Sequence, residues 1–178
     1  TSLANPRYMV DDWSFGIRDS QCQSMVDALK DQGAELVVVL SHNGMDVDLK
    51  MAQRVSGIDV ILGGHTHDGV PVPEIVNSPS GRTLVVNSGS NGKFLSVMDL
   101  DVRHGHLVDY RFRMLPVFSN FLPEDSEMAA YVDSVRAPFV DQLTRVMATT
   151  EVTLYRRGNF GGTFDQVILD ALLKVRGA

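Results

Sequence analysis

The chain has 178 residues, 44% hydrophobic and 21% charged, which is the composition of a folded domain and excludes a disordered or fibrous class. With 22 acidic against 16 basic residues the formal charge is -6, which argues against a surface that holds nucleic acid or an acidic membrane, since either needs clustered Lys and Arg. No apolar run approaches the roughly 18 to 20 residues that span a bilayer, and the lone Cys22 rules out an internal disulfide.

In chain order, residues 1–10 carry no initiator Met, no basic segment and no apolar core of a signal peptide. The other end stops inside a helical pattern, so the expectation is an internal piece of a longer protein, with any signal peptide outside it. Residues 19–31 place Met25, Val26 and Leu29 at helical spacing, with Gln32 and Gly33 closing the helix. Residues 36–40 form a continuous aliphatic run that predicts a strand buried on both faces. Asp46 or Asp48 is expected to cap a short helix running to Val55. Ser56 and Gly57 end that helix before a second buried strand over residues 58–62.

Residues 71–82, rich in Pro and Ser, read as a connection to a strand at 83–86. Residues 93–102 and 107–114 read as strands around a hairpin tip at 103–106. Residues 124–147 are helical, broken at Pro138. Residues 149–155 predict a further strand, 156–162 a Gly-rich turn, and Thr163 a cap for a final helix with Phe164, Val167, Ile168, Ala171 and Leu172 on one face. Helix, strand, loop, helix, strand, loop is the order of an α/β layer, in which ligands gather beyond the carboxyl ends of the strands.

Three of the five histidines lie on that edge. His42 follows the first buried strand; His65 and His67 follow the second. Neutral imidazole suits Mn, Fe, Zn and similar ions, and Gly44, Gly63 and Gly64 let the backbone turn sharply beside them. In an extended loop His65 and His67, at i and i+2, would face opposite ways, as suits one ligand to each of two adjacent ions. A single strand-end histidine is usually just a hydrogen-bonded structural residue; the combination of two loops is what favours metal. His104 and His106 repeat the spacing but stand at a hairpin tip and read as turn residues. Three imidazoles cannot hold two divalent ions, so further ligands and the catalytic groups are expected upstream of residue 1. Asp46 and Asp48 read as helix starters, and Asp68 as a group that orients a histidine from behind.

LSHNG at 40–44, GGHTHD at 63–68 and NSGSNGKFLSVMDLDV at 87–102 resemble the last two metal motifs and the following strand of the calcineurin-like phosphoesterase domain of 5'-nucleotidases. Within that superfamily ANPRYMVDDWSFGIRD at 4–19, SHNGMDVDLKMA at 41–52, GGHTHDGVP at 63–71 and TLYRRGNFGGTFDQVILDALL at 153–173 are similar to the SoxB family nearly end to end. Its earlier motifs, an Asp-x-His, a bridging Asp and an Asn-His pair, are not in this chain. The resemblance implies the second half of a metallophosphoesterase-type α/β/β/α sandwich over residues 1–120, a linker helix over 121–147, and the start of an α+β C-terminal domain over 148–178. It implies that His42 and His65 bind one ion and His67 another, two manganese ions being the family's metals, although the imidazoles alone would also accept zinc or iron. The implied chemistry is periplasmic release of sulfate from a cysteine-S-thiosulfonate on the carrier protein SoxYZ.

Weaker candidates accompany that set. Asn43 could touch substrate or simply make a turn, Arg156 and Arg157 could attract an anionic carrier arm or merely be solvated, and Trp13 with Phe15 could dock a protein or pin a loop. Two rival readings stand beside the first: a 5'-nucleotidase acting on nucleotides, and a non-catalytic metal-binding or scaffold protein that retains the fold. The isolated stretch is expected to be inactive and to fold poorly, because half a sandwich leaves sheet faces and edges uncovered.

Overall fold

A computed structural model describes residues 5–78, 80–156 and 161–177. The chain divides into two compact units, residues 1–123 and 124–178.

The first unit is built on a four-stranded sheet. Strands β1 (Val38–Leu40), β2 (Val60–Gly63) and β4 (Gly81–Asn87) run parallel, and β3 (Glu74–Ser78) pairs antiparallel with β4, giving the order β1-β2-β4-β3. Helix α2 (Met45–Arg54) is the crossover from β1 to β2, and α1 (Asp19–Asp31) precedes β1. Side chains alternate across a strand, so Val39, Ile61 and Val85, which are register partners, face the same side. There they join Val26 of α1 and Met51, Ala52 and Val55 of the α2 segment in one buried cluster. Ile61 and Leu84 are 0% exposed, and burial of such side chains is worth about 1.5–3 kcal/mol each.

A long hairpin follows, β5 (Phe94–Arg103) with β6 (His106–Pro116). His104 and Gly105 both take positive φ at its two-residue turn, as a tight hairpin that matches strand twist requires. Met98 and Phe112 of the hairpin line one cavity with Leu62 and Val86, so the hairpin stands against the sheet face opposite the helices. Ser88 Oγ and Ser96 Oγ, 2.7 Å apart, tie it there.

Three expectations for this unit are corrected. The strand at 36–40 is not buried on both faces: β1 lies at the sheet edge, and Val38 and Leu40 are 43% and 81% exposed because their face of β1 is uncovered among the described residues. The connection at 71–82 contains strand β3, which the flanking prolines obscured; an edge strand tolerates Pro at its ends, where no ladder hydrogen bond is lost. Neither Asp46 nor Asp48 caps α2. Gly44 is its cap residue, and both acids lie inside the first turn.

In the second unit α3 (Ser126–Arg136) starts where the Asp125 carboxylate accepts the Met128 N–H at 2.8 Å. Pro138 lacks an N–H to continue the ladder, and the helix tightens to a 3-10 turn over Ala137–Phe139 before α4 (Val140–Thr144). No strand forms at 149–155, because no partner strand pairs with it among the described residues. Helix α5 (Thr163–Arg176) is capped by Gly162 rather than Thr163. The Gly162 N–H donates to Asp165 Oδ2 at 2.7 Å, while the Thr163 hydroxyl accepts from the Tyr155 N–H at 2.9 Å.

Candidate metal centre

Parallel pairing brings the carboxyl ends of β1, β2 and β4 to one edge, and the backbone is pinned up to the first histidine: the Ser41 N–H donates to the Leu62 carbonyl at 2.9 Å. The Ser41 hydroxyl donates to Asp48 Oδ1 and accepts from the Asn43 N–H at 3.3 Å and from Asn43 Nδ2 at 3.1 Å. His42 thus sits inside a small serine turn whose two flanking residues are fixed. Gly44 takes φ +98° and ψ 156°, a conformation essentially restricted to glycine, and its carbonyl opens α2 by accepting the Asp48 N–H.

The second loop is not extended. His65 and His67 both adopt the left-handed region, at φ +79° and +61°, and the Thr66 N–H turns back to the Gly64 carbonyl at 3.1 Å. The extended backbone on which the opposite facing of His65 and His67 was expected is therefore not the one this loop adopts. Two left-handed histidines cost roughly 1–3 kcal/mol each, the kind of strain that proteins keep at working sites. Between them Thr66 is a junction: its hydroxyl donates to Asp68 Oδ2 at 2.5 Å and accepts from the Met45 N–H at 3.2 Å. Asp68 is therefore engaged by Thr66 rather than by a histidine. A Cβ on Gly44 would stand 2.9 Å from Thr66 Cγ2, so the two loops touch at that point.

His42 and His65 come together, with ring centroids 5.1 Å apart and planes at 67°. An imidazole bound through nitrogen at about 2.1 Å holds its centroid about 3.2 Å from the ion, so two such rings at a tetrahedral angle are about 5 Å apart. The pair has the spacing a shared cation needs. His67 is exposed and makes no ring contact with either among the described residues. Nor do the described residues contain a group of three or more His, Cys, Asp or Glu that would hold a cation alone.

The remaining candidates separate clearly. Asn43 is exposed and bonded to Ser41. Asp46 is exposed in the first turn of α2. Arg156 is exposed, its Nε 3.6 Å from Asp165 Oδ1, and Arg157 lies outside the described residues. His106 lines a cavity with Glu35, Asp59 and Arg82, which belong to the opposite, amino-terminal end of the parallel strands. Trp13 and Phe15 pair at 6.4 Å on the surface. Cys22 is half-buried, and burial raises its thiol pKa, which disfavours the reactive thiolate.

Below the loops lies a polar layer that motif reading overlooked. Asp48 is 0% exposed; burial raises its carboxyl pKa and the Ser41 hydroxyl partly opposes that. Asn87, at the end of β4, is 1% exposed and reaches the Gly64 carbonyl at 3.5 Å. One signal was available: Met45, Asp48, Leu49 and Ala52 follow the i, i+3, i+4, i+7 spacing, which places Asp48 on the apolar stripe of α2.

No protein-family model matches the chain. Among solved structures it is similar to the sulfate thiohydrolase SoxB of Thermus thermophilus, with 35% identity and a TM-score of 0.80 over 99% of this chain and 32% of that one. It is also similar to a 5'-nucleotidase precursor from Thermus thermophilus, with 28% identity and a TM-score of 0.78 over 90% of this chain and 35% of that one. The chain belongs to the 5'-nucleotidase superfamily. The 5'-nucleotidase of Bos taurus is 28% identical over 174 residues, 85% of this chain and 29% of its own length. The chain thus spans about a third of the length of these superfamily relatives. Its mixed α/β architecture matches theirs across most of its residues.

Proposed function

We propose that this chain forms part of a two-metal hydrolase of the SoxB type, which releases sulfate from a cysteine-S-thiosulfonate on a carrier of the SoxYZ kind. The observation that carries this reading is the likeness to SoxB, 35% identical over 99% of the chain, against 28% over 90% for the nucleotidase structure. The 5.1 Å imidazole pair supports the metal part of it. On this reading His42 and His65 hold one divalent ion and His67 contributes to a second, with the other ligands supplied by segments outside this chain. Manganese is the metal proposed, and the imidazoles suit zinc and iron as well. Bound ions of this kind lower the pKa of a water and neutralise charge on the oxygens of the attacked group.

The chain's own residues present the imidazoles at an open sheet edge, hold their loops through Ser41 and Thr66, and place Asn43 beside the anion that arrives. Arg156 and Arg157 are assigned to attraction of the carrier. A periplasmic location follows from the same reading, and no helix among the described residues is long and apolar enough to cross a membrane.

The nucleotidase structure, with a TM-score of 0.78, and the Bos taurus enzyme support a second reading, phosphate release from nucleotides. The deciding experiment gives the full-length, metal-loaded protein a thiosulfonated carrier and, separately, AMP. Sulfate release without phosphate release is expected. Phosphate release alone transfers the assignment to the nucleotidase reading, and neither product would leave the non-catalytic scaffold.

A further inference from the structure

Asp48 occupies a place where a carboxyl is costly. It is fully buried on the apolar stripe of α2, and only one of its oxygens is satisfied, by the Ser41 hydroxyl. The other, Oδ2, has no hydrogen-bond partner among the described residues and faces Gly63, where an added Cβ would stand 2.6 Å away. A buried polar atom left unpaired is destabilising, so an apolar residue here would stabilise the fold. What the carboxyl does accomplish is local. By accepting the hydrogen bond of the Ser41 hydroxyl, Oδ1 turns that hydroxyl's lone pairs toward the Asn43 N–H and Asn43 Nδ2. Ser41 and Asn43 are the two neighbours of His42.

We propose that Asp48, acting through Ser41, is a positioning residue: it presets the 41–44 turn so that the His42 imidazole meets His65 at coordinating distance before a cation binds. The proposal rests on the reading of His42 and His65 as metal ligands. It also explains the glycine at 63, since a side chain there would displace the carboxyl from Ser41. Supporting groups behind metal ligands are worth roughly 10- to 100-fold in affinity.

The test uses the full-length protein with Mn2+ as the probe, and measures affinity by titration calorimetry alongside the unfolding midpoint of the metal-free protein. Ser41→Ala removes the link between Asp48 and the turn. Asp48→Asn keeps an oxygen at the Oδ1 position to accept from Ser41. The expected result is that S41A weakens Mn2+ roughly 10- to 100-fold, more than any fall in its metal-free midpoint accounts for, while D48N binds as wild type does. Wild-type affinity in S41A overturns the proposal, and so does a D48N loss as large as that of S41A. A Mn2+ loss that merely tracks a lowered midpoint also overturns it, since that is a structural role alone. His42→Ala separates the two levels: if H42A binds Mn2+ normally the ligand reading falls and the proposal with it, whereas weak H42A with normal S41A removes the proposal only.

Discussion

His42 and His65 meet with ring centroids 5.1 Å apart although each belongs to the loop after a different strand. The register Leu40↔Leu62 in the parallel β1–β2 pair is the cause, because it advances both chains to the same sheet edge in step. Replacing either histidine with Ala in the full-length protein is expected to remove bound metal and turnover together. His104→Ala and His106→Ala should leave both unchanged, since these residues sit at the hairpin end. Metal content and turnover of the four variants check this, and full metal occupancy in H42A and H65A would refute the assignment.

Thr66 joins the second loop to the start of α2 through one hydroxyl. Thr66→Val keeps the shape and deletes both bonds, freeing Asp68 and the Met45 N–H. Turnover should fall roughly tenfold or more, with little change in thermal midpoint, as for the loss of a group that orients ligands. A variant that turns over at the wild-type rate would show that the hydroxyl is incidental.

Gly44 and Gly63 tolerate no side chain, for different reasons. At Gly44 the backbone itself, at φ +98°, excludes a Cβ, and the Cβ would also press Thr66. At Gly63 the Cβ would fall 2.6 Å from Asp48 Oδ2 and 3.2 Å from the Val86 carbonyl. Each Gly→Ala change should cost about 1–3 kcal/mol in chemical unfolding of the full-length protein. Substitution of Gly105 by Asn, a residue that accepts positive φ in hairpin turns, is the mild comparison. Equal stability of G63A and wild type would contradict the packing described.

Asp48 makes stability depend on pH in a stated direction. Burial first, opposed by the Ser41 hydroxyl, raises its folded-state pKa above the ordinary 3.8. Well below that value the carboxyl is protonated in both states and carries no penalty. As pH rises through the ordinary value toward the raised one, the unfolded chain releases its proton and the folded chain does not, so stability is lost across that window. Asp48→Asn does not titrate. The midpoint of D48N minus that of wild type should therefore grow as pH increases from about 3 into the neutral range, and a flat or shrinking difference would disprove the account.

Much of the outline was legible in one dimension. Helix α1 matches its expected range, as hydrophobic spacing and the glycine at 33 mark both its extent and its end. The hairpin tip at 103–106 was visible because His104 and Gly105 are residues that accept positive φ. The two histidine loops were placed correctly at the strand ends by the aliphatic runs that precede them. Expectations failed where a partner, rather than a local preference, sets the outcome. Strand β3 exists because β4 offers it a ladder, and residues 149–155 are not a strand because nothing pairs with them among the described residues. Arg157 lies outside the described residues.

Periodicity and motif order were enough to name the histidines and the edge on which they lie, because those depend on residues close together along the chain. The meeting of His42 with His65, the left-handed turns at 65 and 67, and the burial of Asp48 beneath Ser41 were decided in three dimensions. Each depends on how β1, β2 and α2 pack, and the free energy that holds a strained loop or an unpaired carboxyl oxygen comes from that packing, not from neighbours in sequence.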